Sequence, residues 1–201
     1  MKEFYKQLAN AVLAGICIGI GGFINLKFGG LAGAIFFAFG LLIVVCEKYN
    51  LFTGIAGSTS DIRILLTSLF GNIIGCFAIA KLAMCSSPTM TTSAITLLSN
   101  RISAGPVMCF FLSIPCGFIV TAVVKQAKQN NLYYPLFLGV PIFIICGFPH
   151  CIADAFNYLV CPWSFIAGKY ASILLVYLSI VLGNYVGCNL YRIAPQGGKC
   201  S

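Results

Sequence analysis

Long apolar segments, separated by short polar connections, occupy most of this chain. Each segment reaches or approaches the roughly 20 residues that a helix needs to cross a hydrocarbon core about 30 Å thick. We therefore predict six membrane spans, at residues 8–26, 31–50, 64–84, 105–124, 134–162 and 170–191. The connections are too short to form a soluble core of their own. The pattern predicts one all-α transmembrane domain over residues 1–201.

Two of these spans are interrupted by polar or helix-breaking residues. In the second span the apolar run 31–46 is followed by Glu-Lys-Tyr-Asn at 47–50, and in the fifth an apolar run ends in Gly-Phe-Pro-His at 147–150. Pro149 lacks an amide hydrogen and disfavours helix at Phe148, so a break is expected there on steric grounds. A helix that starts within a membrane presents free amides and a positive dipole end to a solute. We predict that the second and fifth helices are broken and face a transport path.

The pattern G-N-x-x-G-C occurs in the third span at 71–76 and again in the sixth span at 183–188. Small residues one turn apart are common in membrane helices, so chance is one explanation. Recurrence at the end of each three-span half favours an internal repeat instead. Because three is an odd number, the second half enters the membrane from the opposite side. The sequence thus predicts two inverted three-helix repeats, at about 1–86 and about 100–195, as in many channels and transporters.

Composition and charge agree with a membrane location. Hydrophobic residues make up 60% of the chain and charged residues 8%, against roughly 25% charged in soluble domains. The net charge of +8 comes mainly from basic residues at alternate span ends, namely Lys2, Lys6, Arg63, Lys125, Lys128, Arg192 and Lys199, with Lys27, Arg101 and Lys169 at the other ends. The positive-inside rule then places both termini in the cytoplasm, with the chain in a bacterial inner membrane. We expect no nucleic-acid partner.

The eleven cysteines lie mostly within the spans and include no C-x-x-C pair. They are typical of small apolar packing residues. A membrane thiol oxidoreductase needs a paired and exposed dithiol, and a zinc site needs clustered ligands. We therefore expect no metal, no cofactor and no enzymatic activity, and a thiol oxidoreductase is a disfavoured alternative.

His150 is the chain's only histidine, and it falls at the proline break of the fifth span. In a soluble protein a lone buried histidine is more often structural than functional. Within a membrane the balance reverses, because ionisable groups are costly there and usually face a cavity or pathway. Histidine is also the side chain whose unperturbed pKa lies in the range that a cell traverses. We expect His150 to act on a solute.

At these residues the sequence resembles the formate/nitrite transporter family. Residues 147–156, G-F-P-H-C-I-A-D-A-F, are similar to the family's G-[FY]-E-H-x-x-A-N-M-[FY] at the break of the fifth helix. L-F-T-G at 51–54 is similar to its L-F-T-[GS] at the break of the second helix, and G-N-x-x-G at 183–187 is similar to its last helix. The resemblance covers nearly the whole chain. It implies an aquaporin-like bundle of two inverted repeats, assembled as a homopentamer in a lipid bilayer.

The resemblance also implies roles for individual residues. Thr53 and His150 would form a hydrogen-bonded pair at the centre of the pore. The other implied assignments are apolar constrictions at Phe37, Leu41 and Phe143, pore-break or pore-lining positions at Leu51, Phe52, Gly54, Asn72, Asp154 and Asn184, and vestibule charge from Arg101. An interfacial anchor is an equally good interpretation of Arg101.

The implied function is a pH-sensitive channel or transporter for small monovalent anions of weak acids. Formate is favoured, with nitrite, hydrosulfide and lactate as further candidates. Proton transfer that neutralises a weak acid lowers the cost of crossing an apolar constriction. The chain departs from the family pattern at Asn50, Ile55, Pro149 (usually glutamate) and Asp154 (usually asparagine). Because acidic positions have changed, a neutral small-solute pore on the same fold is an alternative.

Overall fold

The computed structural model describes residues 1–193, so Lys199 and the end of the second predicted repeat lie outside the described residues. Within this range the chain forms nine α-helices and no β-strand. The helices are α1 (Lys2–Phe28), α2 (Gly30–Cys46), α3 (Phe52–Ile55), α4 (Ile62–Ser86), α5 (Pro88–Asn130), α6 (Tyr134–Ile145), α7 (Cys151–Val160), α8 (Trp163–Ile166) and α9 (Tyr170–Ile193).

Among the described residues, four helices are long and apolar enough to cross a membrane: α1, α4, α5 and α9. The second predicted span is divided into α2 and α3 and the fifth into α6 and α7, and the longest of these pieces has 17 residues. Large apolar side chains on the outward faces of α4 and α9, such as Phe70, Ile74, Leu178 and Leu182, are roughly half exposed. Such surfaces are typical of contact with lipid or with another membrane protein.

The helix α5 starts well before the fourth predicted span. Gly105 interrupts it with φ 77° and ψ 169°, and Pro106 follows. Glycine adopts this positive φ at little cost, and proline cannot donate a hydrogen bond to the preceding turn. Residues 88–104 therefore form a separate helical arm. The hydrophobic pattern does not predict this arm, because its sequence is rich in serine and threonine.

Two helix pairs form the body of the bundle. α1 packs parallel to α4, and α5 packs parallel to α9. Gly15 lies against the backbone of Asn72 in the first pair, and Gly117 lies against the backbone of Asn184 in the second. A Cβ atom at either glycine would overlap the asparagine carbonyl. Close backbone approach is the general use of small residues between membrane helices.

Both described ends of the chain lie at one face of the bundle. α1 and α4 start at the same face, because they pack in parallel. Arg192, near the end of α9, donates through Nη1 to the hydroxyl of Ser60, just before α4, at 2.8 Å. We call this face the terminal face and the opposite one the far face.

The chain leaves the helical conformation at both places where the sequence predicts a break. Residues 47–51 separate α2 from α3, and residues 146–150 separate α6 from α7. Lys48 and Gly147 adopt the left-handed conformation, with φ 58° and 70°. Left-handed residues commonly end helices, and Pro149 prevents the second one from continuing. The short helices α3 and α7 consequently begin inside the bundle.

Candidate transport site

The two short helices bring Thr53 and His150 together. Thr53 lies in the first turn of α3, and His150 is the N-cap of α7. Thr53 Oγ1 and His150 Nε2 are 2.9 Å apart. The two residues are 0% and 3% exposed, so the hydrogen bond is buried. Each half of the chain contributes one member of the pair.

The hydrogen bonds of the His150 ring define its tautomer. Nδ1 accepts from the backbone N–H of Ala153 at 3.2 Å, and this bond caps the first turn of α7. In a neutral imidazole the accepting nitrogen has no proton, so Nε2 carries it and donates to Thr53 Oγ1. In this tautomer the hydroxyl oxygen of Thr53 accepts, and its hydrogen has no acceptor among residues 1–193. The hydroxyl can therefore donate to a solute.

Two phenylalanines pack beside the histidine. The Phe143 ring stacks on His150 with centroids 5.5 Å apart, and it meets Phe37 edge-on at 6.2 Å. Together with His150, both rings line a cavity of about 160 Å³ toward the far face. Leu41 is buried one helical turn beyond Phe37 on α2. The polar pair is therefore bordered by apolar rings on this side.

Asn72 of α4 holds the first break. Its Oδ1 accepts from the backbone N–H of Phe52 at 2.9 Å. Its Nδ2 donates to the carbonyls of Asn50 at 2.9 Å and Ala11 at 2.8 Å. Asn72 is fully buried, as is Leu51, the N-cap of α3. The Asn72 amide is thus bonded to backbone groups at the start of α3 and in α1, and it braces the break.

Asn184 of α9 holds the second break in the same way. Its Oδ1 accepts from the backbone N–H of Cys151 at 2.7 Å. Its Nδ2 donates to the carbonyls of Pro149 at 2.9 Å and Ser113 at 2.8 Å. The G-N-x-x-G-C segments of the two halves thus perform the same local task.

The cysteines that end these segments connect the two halves. The thiol of Cys76 donates to the carbonyl of Ile152 in α7 at 3.6 Å, and the thiol of Cys188 donates to the carbonyl of Thr53 in α3 at 3.4 Å. Each segment therefore braces the short helix of its own half through asparagine and contacts that of the other half through cysteine.

An ion pair lies beside the His150 backbone. Arg101 Nε donates to Asp154 Oδ1 at 3.0 Å, and Arg101 Nη1 donates to the Gly147 carbonyl at 2.7 Å. Asp154 Oδ2 accepts from the backbone N–H of His150 at 3.0 Å. The carboxylate thus caps α7 and bonds to the histidine backbone, and the ring bonds to other partners. Sequence reasoning singles out both charged residues but does not predict their contact.

Two cavities flank the Thr53–His150 pair. The far-face cavity is lined by His150 and the two phenylalanines, by Arg101 and Asp154, and by the carboxamides of Asn25, Asn100 and Asn157. The terminal-face cavity has a volume of about 260 Å³, and its lining includes Gly54, which follows Thr53 in the chain. The other lining residues are Gly57, Ser58, Thr121, Val124, Lys125, Lys128, Gln129, Tyr191 and Arg192. The pair therefore lies between cavities on opposite sides of the bundle.

The described thiols and acids form no metal centre. Within residues 1–193, no group of three or more His, Cys, Asp or Glu side chains is arranged to hold a metal ion. The cysteines of this range are free thiols, and those in the bundle interior, such as Cys116 and Cys151, are fully buried.

Comparison with known proteins agrees with this architecture. Residues 1–194 match the sequence profile of the formate/nitrite transporter family. No curated protein matches the chain. A solved pentameric formate channel with formate bound shares the fold with a TM-score of 0.77 and 23% identity, covering 95% of each chain. An FNT family ion channel matches with a TM-score of 0.77 and 19% identity, covering 95% of this chain and 91% of that one. Since the family profile covers almost the whole chain, the protein belongs to the formate/nitrite transporter family, whose members are membrane transporters and not enzymes.

Proposed function

We propose that the protein is a pH-sensitive channel for small monovalent anions of weak acids, with formate as the favoured substrate. The observation that carries this proposal is the buried 2.9 Å hydrogen bond between His150 Nε2 and Thr53 Oγ1, between cavities on opposite sides of the bundle. The family and the fold shared with a formate channel support it. Nitrite, hydrosulfide and lactate carry the same charge and are the next candidates.

A solute at the centre meets the hydroxyl of Thr53 as a free hydrogen-bond donor, and the Nε2–H of His150 becomes a second donor when it leaves Thr53 Oγ1. A weak-acid anion accepts a hydrogen bond from these groups while the ring is neutral, and it accepts a proton only from the charged imidazolium, which thereby returns to the neutral form. The neutral acid then crosses the apolar surface formed by Phe37 and Phe143 at lower cost than a charged species. The charged ring forms when Nδ1 takes up a second proton. Because Nδ1 accepts a hydrogen bond from the backbone N–H of Ala153, that bond must break first. Proton supply is thus coupled to the first turn of α7.

The channel has six spans arranged as two inverted repeats, in which α1–α4 and α5–α9 are equivalent. The matching contacts of Asn72 and Asn184, and the parallel packing within each helix pair, support this arrangement. We place the chain in a bacterial inner membrane with the terminal face in the cytoplasm, as the distribution of basic residues favours.

Five copies form the assembly, and each protomer has its own pore. The solved formate channel that shares this fold is pentameric, which supports the stoichiometry. The half-exposed apolar faces of α4 and α9 offer surfaces for contact between protomers or with lipid. Native mass measurement in detergent tests this arrangement. A monomer or dimer as the sole stable species would contradict it.

Flux in proteoliposomes tests the proposed substrate. We expect labelled formate, nitrite and hydrosulfide to cross faster than in protein-free vesicles, and formate flux to increase when a pH gradient supplies protons with the anion. If vesicles that contain normally assembled protein take up these anions no faster than protein-free vesicles, the proposed function is ruled out.

A neutral small-solute pore is the second candidate. It is favoured by the far-face cavity, where Asp154 neutralises Arg101 and the remaining polar lining includes the carboxamides of Asn25, Asn100 and Asn157. Urea and glycerol in the same vesicles discriminate the two candidates. Rapid glycerol or urea flux without formate flux would replace the first proposal by the second.

A further inference from the structure

The two cavities differ in charge. In the far-face cavity the charged side chains are Arg101 and Asp154, which form an ion pair at 3.0 Å. Arg101 also donates to the carbonyl of Gly147 at 2.7 Å. Since the two formal charges cancel within the lining, this cavity exerts little net attraction on an anion.

The terminal-face cavity is lined by three cations, Lys125, Lys128 and Arg192, and by no carboxylate. Arg101–Asp154 is the only salt bridge within residues 1–193. None of the three cations therefore forms a salt bridge with an acid of this range. The cavity volume of about 260 Å³ accommodates a small oxyanion together with several water molecules, which occupy about 30 Å³ each.

Neutral groups hold two of the cations in place. Arg192 Nε donates to the carbonyl of Gly57 at 3.0 Å, and its Nη1 donates to Ser60 at 2.8 Å. Lys125 Nζ lies 5.1 Å from the ring centroid of Tyr191. Because these partners are uncharged, they position the cations without cancelling their charge. Fixed cations around a concave lining raise the local concentration of anions.

We infer that the terminal-face cavity is a binding site for small oxyanions, where a divalent oxyanion such as inorganic phosphate binds and blocks the pore from that face alone. Three cations exceed the single charge of a formate-like substrate and suit a divalent ion better. Gly54, the neighbour of Thr53 in the chain, is part of the cavity lining, so a bound ion obstructs the solute's route to the pair. The inference rests on the proposed function in one respect: the block by phosphate is measured as inhibition of anion flux.

The site also makes substrate affinity depend on the face. A channel does no work, so the ratio of maximal flux to half-saturating concentration is the same from both faces. The half-saturating formate concentration itself is lower from the terminal face, where the uncompensated cations retain the anion. Raising the ionic strength at that face weakens the effect, because salt screens partly exposed charges.

The test uses the full chain in phosphatidylcholine vesicles, with orientation determined from protease access to an N-terminal tag. Formate flux is measured with inorganic phosphate on one side at a time. We expect inhibition from the terminal face, and a half-inhibitory concentration about tenfold or more higher from the far face.

Charge-neutralising variants locate the site. Lys125→Gln with Lys128→Gln should raise the half-inhibitory phosphate concentration at the terminal face by about tenfold or more. Lys27→Gln with Lys169→Gln removes the same number of charges at the far face and should leave that concentration unchanged. As a second measurement, phosphate should raise the melting temperature of the wild-type protein in detergent but not that of the Lys125/Lys128 variant.

Three results would overturn the site. They are equal inhibition from both faces, inhibition that the Lys125/Lys128 variant retains, and a thermal shift that this variant retains. Loss of the block by soluble phosphate in vesicles containing phosphatidylglycerol would assign the cations to a lipid headgroup instead. A wild-type protein without formate flux would refute the proposed function but not the phosphate site. The change in melting temperature with phosphate would still show whether the site binds it.

Discussion

Thr53 and His150 are 97 positions apart in the chain, yet their side chains share a buried hydrogen bond of 2.9 Å. Each residue lies at the start of a short helix, and each start is held by an asparagine, Asn72 for α3 and Asn184 for α7. The geometry of the pair therefore depends on both helix pairs of the bundle. Variants of the pair should change transport, and variants of the bracing residues should change assembly first.

Replacing His150 by Asn should flatten the pH dependence of formate flux. In the wild type, flux should rise as the pH falls, because a protonated ring attracts the anion or supplies it with a proton. Asparagine keeps hydrogen-bonding capacity but does not titrate. Initial rates in proteoliposomes between about pH 5 and pH 8 measure the effect, after the rates of protein-free vesicles are subtracted.

Thr53→Ser is the matched control for this experiment, because it keeps the hydroxyl beside the ring and should keep the pH dependence. A normally assembled His150→Asn protein with the wild-type pH profile would remove the histidine from the mechanism.

Replacing Leu41 by Ala should raise formate flux and loosen selectivity against larger anions such as lactate. Leu41 is 2% exposed and lies one turn from Phe37, which borders the His150 cavity. A smaller side chain at an apolar constriction widens the path and admits water. The ratio of formate to lactate flux measures the change. Val45→Ala, at another buried position of α2, should leave this ratio unaltered; equal ratios for the two variants would refute the constriction at Leu41.

The two helix breaks could be predicted from the sequence because their causes are local. Pro149 removes a backbone donor, and the polar run at 47–50 ends an apolar segment. The family could be predicted for a related reason, since the motifs that carry the resemblance are short contiguous segments at these breaks. The match of residues 1–194 to the family profile confirms it. The contact between Thr53 and His150 follows only from the resemblance, since no local pattern relates positions so far apart.

The ion pair of Arg101 with Asp154 could not be predicted in this way. The two residues are 53 positions apart, and Arg101 lies on the arm of α5 that the hydrophobic pattern misses. One face of the arm is apolar, and its residues Met90, Ala94 and Leu98 are fully buried in the bundle. Tertiary packing therefore stabilises the arm, which a search for long apolar segments does not detect. A charge at the end of a span is equally typical of an interfacial anchor, so only the fold distinguishes the two roles.

Replacing Asn184 by Leu should prevent normal assembly or lower the melting temperature strongly. The change leaves the N–H of Cys151 and the carbonyls of Pro149 and Ser113 without the partner they have now. Each buried group left unsatisfied costs about 1–3 kcal/mol. Asn189→Leu, on the same helix, is the control, because the Asn189 side chain donates only to a carbonyl of its own helix. Equal melting temperatures of the two variants would show that Asn184 does not brace the break.

Replacing Gly15 by Ala should destabilise the α1–α4 pair. A Cβ atom there overlaps the Asn72 carbonyl, so the helices must separate or the break that Asn72 holds must shift. Overpacking of this kind costs about 1–3 kcal/mol. Gly54→Ala is the control for stability, because its Cβ would meet the nearest atom at 3.6 Å, an ordinary contact. Melting temperatures in detergent compare the two; a Gly15→Ala protein as stable as Gly54→Ala would contradict the close packing.

Asp154→Asn should lower the melting temperature by more than the loss of an exposed ion pair would. The side chains of Arg101 and Asp154 are 15% and 4% exposed, and a hydrogen bond to a charged group contributes about 1.5–3 kcal/mol. Asparagine keeps an oxygen that can accept from the His150 backbone, so the main loss is the charge opposite Arg101. The guanidinium then remains in the far-face cavity without an acid partner.

A double-variant cycle isolates this contact. Arg101→Gln alone should also destabilise, since it leaves the Asp154 carboxylate unpaired, but combining it with Asp154→Asn should recover part of the loss because no unpaired charge remains. Arg63→Gln is the control for the removal of one cation elsewhere, and it should have little effect on the melting temperature. Additive losses in the double variant would show that the two side chains are energetically independent. If they are coupled, Asp154→Asn should also increase inhibition of formate flux by phosphate added at the far face, because Arg101 would no longer be neutralised there.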